Sequence, residues 1–156
     1  MLIMEDDLLP SHLCTALMRI GTRLAAGFDQ HFARQGVTQA QFRVLLAVWE
    51  QGGEEGIAPS ALADYLLIER ATVSVLTGRM VERGWLARAP GENRRTFRLV
   101  LTERGERTLQ ELIPRAVALA NHTLSGITRD DLRRMHANLG SVEARLRAYE
   151  APEEPA

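Results

Sequence analysis

Between Pro59 and Thr102 four patterns follow one another with almost no chain to spare: a short helix, a tight turn, a second helix with a polar outer face, and an arginine-tipped hairpin. That order of elements suits a reader of duplex DNA. The first helix is PSALADYL. Proline fits the first helical turn and a serine oxygen can accept an orphan backbone N–H, so Pro59 and Ser60 are a start signal. Ala61, Leu62, Tyr65 and Leu66 recur at helical spacing and predict one apolar face, with Asp64 outside it. After a turn at Leu67 and Ile68 the second helix follows, with Val73, Leu76, Met80 and Val81 as its inward stripe. Arg70, Thr72, Ser74, Thr77 and Arg79 are left facing outward or flanking that stripe. Arginine can read guanine edges in the major groove, and short hydroxyl side chains let a helix approach closely. On this reading Arg70, Thr72, Ser74 and Val75 lie near base edges and Arg79 lies on phosphate. Gly84 ends the helix.

Residues 85–89 and 96–101 have the branched and aromatic content of strands, and Pro90, Gly91, Glu92 and Asn93 supply the turn between them. Arg94 and Arg95 sit at or beside the tip. Arginine on a protruding hairpin can enter a narrow, electronegative minor groove, so the hairpin reads as a wing, with either arginine as the inserting residue. Thr102 is placed to cap the helix that follows.

The rest of the chain reads as scaffold. From Pro10 to Ala33, Leu13, Leu17, Ile20, Leu24 and Phe28 recur three and four residues apart, which predicts one long amphipathic helix ended by Gly36. Thr38 and Gln41 form a capping-box pattern for the next helix, which continues through Phe42, Leu45, Leu46 and Trp49. The run GGEEG at 52–56 reads as a flexible loop. Beyond the hairpin, Glu103 to about Ser125 predicts a helix that Pro114 should kink or break. Thr128 starts a last helix with Leu132, Met135, Leu139, Val142 and Leu146 as its stripe, and the tail Ala151 to Ala156 is expected to be disordered.

The chain has 156 residues and 46% hydrophobic content, enough for the core of one compact domain, so residues 1–156 are read as a single unit. No signal-like or membrane-spanning stretch is evident and there is one cysteine, so a soluble, cytoplasmic protein is expected. The net charge of -1 conceals a local excess. Between Glu69 and Arg104 there are eight arginines and four glutamates, a difference of +4, placed where a duplex would lie.

These features together resemble the MarR family, the winged-helix bacterial transcription regulators named for multiple antibiotic resistance. The resemblance rests on the helix start Thr38-Gln39-Ala40-Gln41-Phe42-Arg43-Val44-Leu45, the helix-turn-helix from Leu62 to Arg83 with its ending Glu82-Arg83-Gly84-Trp85-Leu86, and the wing Asn93-Arg94-Arg95 leading to Leu101-Thr102-Glu103-Arg104-Gly105. Asn93 stands where the family's wing usually carries aspartate; it can accept a hydrogen bond from a neighbouring arginine but brings no charge. The resemblance implies a mainly α fold, a winged helix-turn-helix lobe at 38–102, and long flanking helices at 10–33 and 103–149 that form a homodimer interface. It implies a repressor on a pseudo-palindromic operator, with Thr38 and Gln39 added to the DNA contacts. It also implies a small aromatic effector, for which Met18, Phe28, Phe42 and Trp49 are the candidate lining.

Other chemistry finds little footing. Peroxide-sensing members of the family carry a reactive cysteine near the start of the first helix, where this chain has Cys14. Their thiols stand among tyrosines, whereas the comparable positions here are Met18 and Phe28, which supply neither a donor nor a charge to stabilise a thiolate, so Cys14 is expected to be a small buried residue at a dimer contact, with oxidation sensing as the alternative. His12, His31, His122 and His136 show no short metal-ligand spacing. There is no phosphate loop, HExxH helix or nucleophile motif, so neither an enzyme nor a cofactor is expected. The competing reading from another class is a winged-helix module that binds protein without a specific DNA site.

Overall fold

The computed structural model describes residues 8–149. Its elements run α1 (Leu9–Phe32), a 3-10 turn (Ala33–Gln35), α2 (Gln39–Ala47), a π-helical turn (Val48–Gly52), α3 (Pro59–Leu66), α4 (Arg70–Glu82), β1 (Leu86–Pro90), β2 (Phe97–Leu101), α5 (Glu103–Thr123) and α6 (Arg129–Arg147). The mainly helical fold with a small two-stranded wing is the one expected. The expected tail from Ala151 lies outside the described residues.

The chain divides into two compact units after Leu119, within α5. In the first, the buried apolar residues run from Phe32 to Leu112, and Phe32, Leu45, Leu62, Met80, Leu86, Leu99 and Leu112 are fully enclosed. The core therefore belongs to the end of α1, to α2–α4, to the wing and to the start of α5. Phe28, Phe32 and Phe42 form an aromatic cluster with ring centroids 4.9 to 6.4 Å apart. Upstream of that cluster Leu13, Leu17, Ile20 and Leu24 lie exposed on α1.

Local signals explain most boundaries. Gly36 takes a left-handed backbone (φ 63°) that ends the 3-10 turn after α1. Thr38 and Gln41 form the full capping box: the Gln41 N–H donates to Thr38 Oγ1 at 3.2 Å, and the Thr38 N–H donates to Gln41 Oε1 at 3.0 Å. Asp29 reaches across from α1 to accept the Gln39 N–H at 2.6 Å, which adds a negative charge at the positive end of α2. Thr102 caps α5, accepting from the Gly105 N–H at 3.0 Å while its hydroxyl donates to the Gly84 carbonyl at 2.6 Å. That helix packs so tightly on the loop between α4 and β1 that a Cβ at position 105 would lie 2.0 Å from the Trp85 carbonyl oxygen.

Several expectations need correction. α3 starts at Pro59 with Ala58 as its cap residue and no side-chain cap bond, so Ser60 does not serve as the cap. Its buried face is Leu62, Ala63 and Leu66, not Ala61 and Tyr65. The small Ala63 permits close helix packing, while Tyr65 turns outward and its hydroxyl lies 3.2 Å from Glu50 Oε2. α5 runs through Pro114 without a break. Both strands are offset by one residue at their starts, pairing antiparallel from Leu86 with Leu101 to Pro90 with Phe97. The 52–56 loop is tied to the wing: Ile57 and Leu99 exchange backbone hydrogen bonds of 3.0 and 2.8 Å, and a Cβ at position 56 would meet the Leu99 oxygen at 2.6 Å.

In the second unit, Gly126 (φ 84°) makes the turn before α6, and Thr128 caps that helix by accepting the Asp131 N–H at 3.2 Å. Exposed pairs of Arg133 with Asp130, Arg134 with Asp131 and Arg147 with Glu143 lie one helical turn apart, each worth only a few tenths of a kcal/mol. No residue of α6 is buried, and Met135, Leu139, Val142 and Leu146 stand exposed along it.

Candidate nucleic-acid interface

Helices α3 and α4 are joined by three residues, Leu67, Ile68 and Glu69. Leu67 has a left-handed backbone (φ 54°, ψ 47°), which reverses the chain direction in a single step. α4 then buries Val73, Thr77 and Met80. Arg70, Thr72, Ser74, Val75 and Arg79 lie on its exposed surface, Val75 with 58% of its surface open. Five of the residues expected to meet DNA are thus on open surface of one helix. Thr77, expected outward or flanking, is only 4% exposed. Its hydroxyl donates to the Val73 carbonyl at 2.8 Å, which satisfies the polar atom inside the core and lets threonine fill an apolar position.

The wing tip is organised without charge. Asn93 Oδ1 accepts the Arg95 N–H at 2.9 Å, the Asn93 N–H donates to Thr96 Oγ1 at 3.1 Å, and the Thr96 hydroxyl donates back to the Asn93 carbonyl at 3.2 Å. Asparagine thus shapes the turn through the neighbouring backbone N–H, and the side chains of Arg94 and Arg95 are left exposed. Among the described residues none of Arg70, Arg79, Arg94 and Arg95 forms an ion pair, so their charge is available to an anionic partner.

Other local arginines have structural tasks that sequence reasoning missed. Arg83 donates to the Gly36 carbonyl at 2.8 Å and lies over the Trp85 ring at 4.0 Å. Arg88 lies 4.9 Å above the Phe97 ring. Arg98 donates to the Gly56 carbonyl at 3.1 Å and anchors β2 to the loop before α3. Arg43 on α2 donates to the Leu66 carbonyl at 3.0 Å. The hydrogen bonds of Arg83, Arg98 and Arg43 join positions 47, 42 and 23 residues apart, so no local spacing announces them.

The remaining candidates are more scattered. Thr38 is exposed at the start of α2, with Gln39 half-buried beside it. Phe28 and Phe42 stack at 6.4 Å within the aromatic cluster. Met18 is 67% exposed and Trp49 is 55% exposed, and neither joins that cluster. Trp49 was expected to continue the packed face of α2, but the helix widens into its π-helical turn at Val48 and the indole faces outward. Cys14 is exposed on α1.

Comparison with known proteins agrees with this geometry. Residues 35–96, which hold α3, α4, β1 and the wing tip, match the model of the MarR family. The HTH-type transcriptional regulator PecS of Dickeya dadantii is 26% identical over 141 residues, covering 90% of this chain and 85% of that protein. Further curated relatives include transcriptional repressors of Escherichia coli and Bacillus subtilis. MosR of M. tuberculosis, solved in complex with DNA, shares the fold with a TM-score of 0.69 at 24% identity, covering 86% of this chain and 97% of that one. CouR of Rhodococcus jostii RHA1, solved bound to p-coumaroyl-CoA, gives a TM-score of 0.75 at 22% identity, covering 83% and 90%. The exposed polar helix and the arginine-tipped turn thus fall within the stretch that is similar to the MarR family, and the curated relatives that match the chain are transcriptional regulators.

Proposed function

We propose that this protein is a ligand-responsive repressor that binds a pseudo-palindromic operator as a homodimer. The observation that carries the reading is the open face of α4, with Arg70, Thr72, Ser74, Val75 and Arg79, followed directly by a wing whose two tip arginines have no ionic partner among the described residues. In this reading α4 enters the major groove and the wing enters the minor groove, with Thr38 and Gln39 near the backbone. Dimerisation is supported by the apolar residues left open on α1 and, separately, on α6. Residues 10–33 and 103–149 are then the dimerisation helices around the DNA-binding lobe. Twofold symmetry sets two copies of α4 about 34 Å apart, one turn of B-DNA.

The effector reading rests on the stacked Phe28 and Phe42, which join α1 to α2 and suit a flat aromatic group, with Met18 and Trp49 as further candidate contacts. The relative solved with p-coumaroyl-CoA supports an aromatic effector class. An effector that binds better when the recognition helices are wrongly spaced shifts the population and lowers operator affinity. The work of such a regulator is in the cytoplasm, and among the described residues no helix is long and apolar enough to cross a membrane.

The test is a fluorescence anisotropy titration at fixed physiological salt on duplex DNA from upstream of the protein's own gene, beside a scrambled duplex. The expected result is binding to the native duplex at least ~1000-fold tighter than to the scrambled one. Equally weak binding to both, together with failure to enrich any duplex from a random pool, refutes the reading.

A further inference from the structure

Leu67 is the only non-glycine residue among the described ones with a positive φ. A branched side chain resists that conformation, because its Cβ crowds the following carbonyl, and glycine would adopt it freely. Other contacts must therefore hold it. Two backbone bonds contribute: the N–H groups of Leu67 and Ile68 both reach the Ala63 carbonyl, the latter at 3.1 Å, which closes the end of α3. A third restraint comes from another helix. The Arg43 guanidinium, on α2, donates to the Leu66 carbonyl at 3.0 Å.

The chemistry of that bond suits the place. The last carbonyls of a helix have no internal partner and carry the negative end of its dipole, so a cation there both satisfies an acceptor and is attracted electrostatically. Arg43 forms no ion pair among the described residues that would compete for it. Leu66 is the last helical residue before the turn, and α4 begins at Arg70. The dihedral angles of three residues thus fix the direction in which α4 leaves α3, and a charged clamp from α2 acts on the first peptide of that link.

We infer that Arg43 is a positioning residue for DNA recognition: by holding the Leu66 carbonyl it keeps Leu67 left-handed, and so aims the recognition helix without touching DNA. The inference rests on the DNA-reading function proposed above. It predicts a loss of discrimination between sequences with the general attraction to phosphate unchanged, since Arg43 neutralises no phosphate.

The test compares Arg43→Gln with the wild-type protein on a duplex enriched from a random pool and on a scrambled duplex, over a series of salt concentrations. The ratio of the two affinities should fall roughly tenfold, the scale of one lost charge-assisted hydrogen bond, while the salt slope stays constant. The Ile68 amide should exchange its hydrogen faster in the variant, seen by NMR on the free protein. Arg43→Lys, which keeps the charge but not the planar fork, should fall between the two, and it carries the same readouts if Arg43→Gln does not fold. Adding Leu67→Gly to Arg43→Gln should recover part of the ratio, because the turn then needs no clamp. An equal loss on both duplexes with a shallower salt slope would overturn the inference by making Arg43 a phosphate contact, and an unchanged ratio would overturn it outright. If the wild-type protein does not distinguish the duplexes, the DNA-reading function fails instead, and Ile68 exchange alone decides whether Arg43 holds the turn.

Discussion

Replacing both wing-tip arginines, Arg94→Ala with Arg95→Ala, isolates the wing's electrostatic contribution. Neither side chain makes a hydrogen bond or ion pair among the described residues; the tip is held by Asn93 and Thr96, with Arg95 contributing only its backbone N–H. Stability should therefore be unchanged within about 0.5 kcal/mol. The proposed dimer loses two cations at each of two wings. Each phosphate neutralised contributes about 0.9 to the slope of log affinity against log salt, so the slope should become shallower by ~2 if one arginine per wing engages DNA, or by ~4 if both do. At ~0.15 M salt the same relation gives an affinity loss of roughly 30-fold in the first case and 1000-fold in the second. Anisotropy titrations at four or more salt concentrations separate the two cases. A loss under about threefold with an unaltered slope would refute the minor-groove role of the wing, because exposed uncompensated arginines at a DNA contact cannot be removed without releasing fewer counterions.

Two further substitutions test the scaffold. Gly105→Ala sets a methyl group against the Trp85 carbonyl, whose oxygen would be 2.0 Å away, and should cost about 3 kcal/mol or more, read as a lower thermal unfolding midpoint; an unchanged midpoint would contradict the close packing of α5 on that loop. Thr77→Val should change stability by under about 1.5 kcal/mol and leave DNA affinity unaltered, since the Val73 carbonyl keeps its helical backbone bond; a tenfold loss of affinity would return Thr77 to the DNA-facing surface.

What the sequence announces here is local, and what it conceals is distant. The capping box of Thr38 and Gln41, the caps at Thr102 and Thr128, and the left-handed turns at Gly36 and Gly84 each depend on residues within one turn of one another, and each forms as read. The exposed face of α4 was legible for the same reason, because helical period alone separates Arg70, Ser74 and Val75 from the buried Val73 and Met80. Tyr65 and Thr77 misled because apolar character is a poor guide when a small neighbour packs closer, as Ala63 does, or when a hydroxyl is satisfied by its own helix. The bonds from Arg43, Arg83, Arg98 and Asp29 join positions brought together only by folding, so composition presents these residues as surface charge. The trap was greatest for the arginines, since in a basic surface a scaffolding guanidinium and a DNA-facing one look alike.

The bridge between Ile57 and Leu99, reinforced by Arg98 on the Gly56 carbonyl, has a mechanical consequence. It makes the hairpin a continuation of the helical lobe, with the strand that carries it riveted to the loop just before α3. Tilting the lobe by a few degrees must then swing helix and hairpin in the same arc. If α4 and the wing occupy the two grooves as proposed, they should leave the duplex together, read as a single dissociation phase.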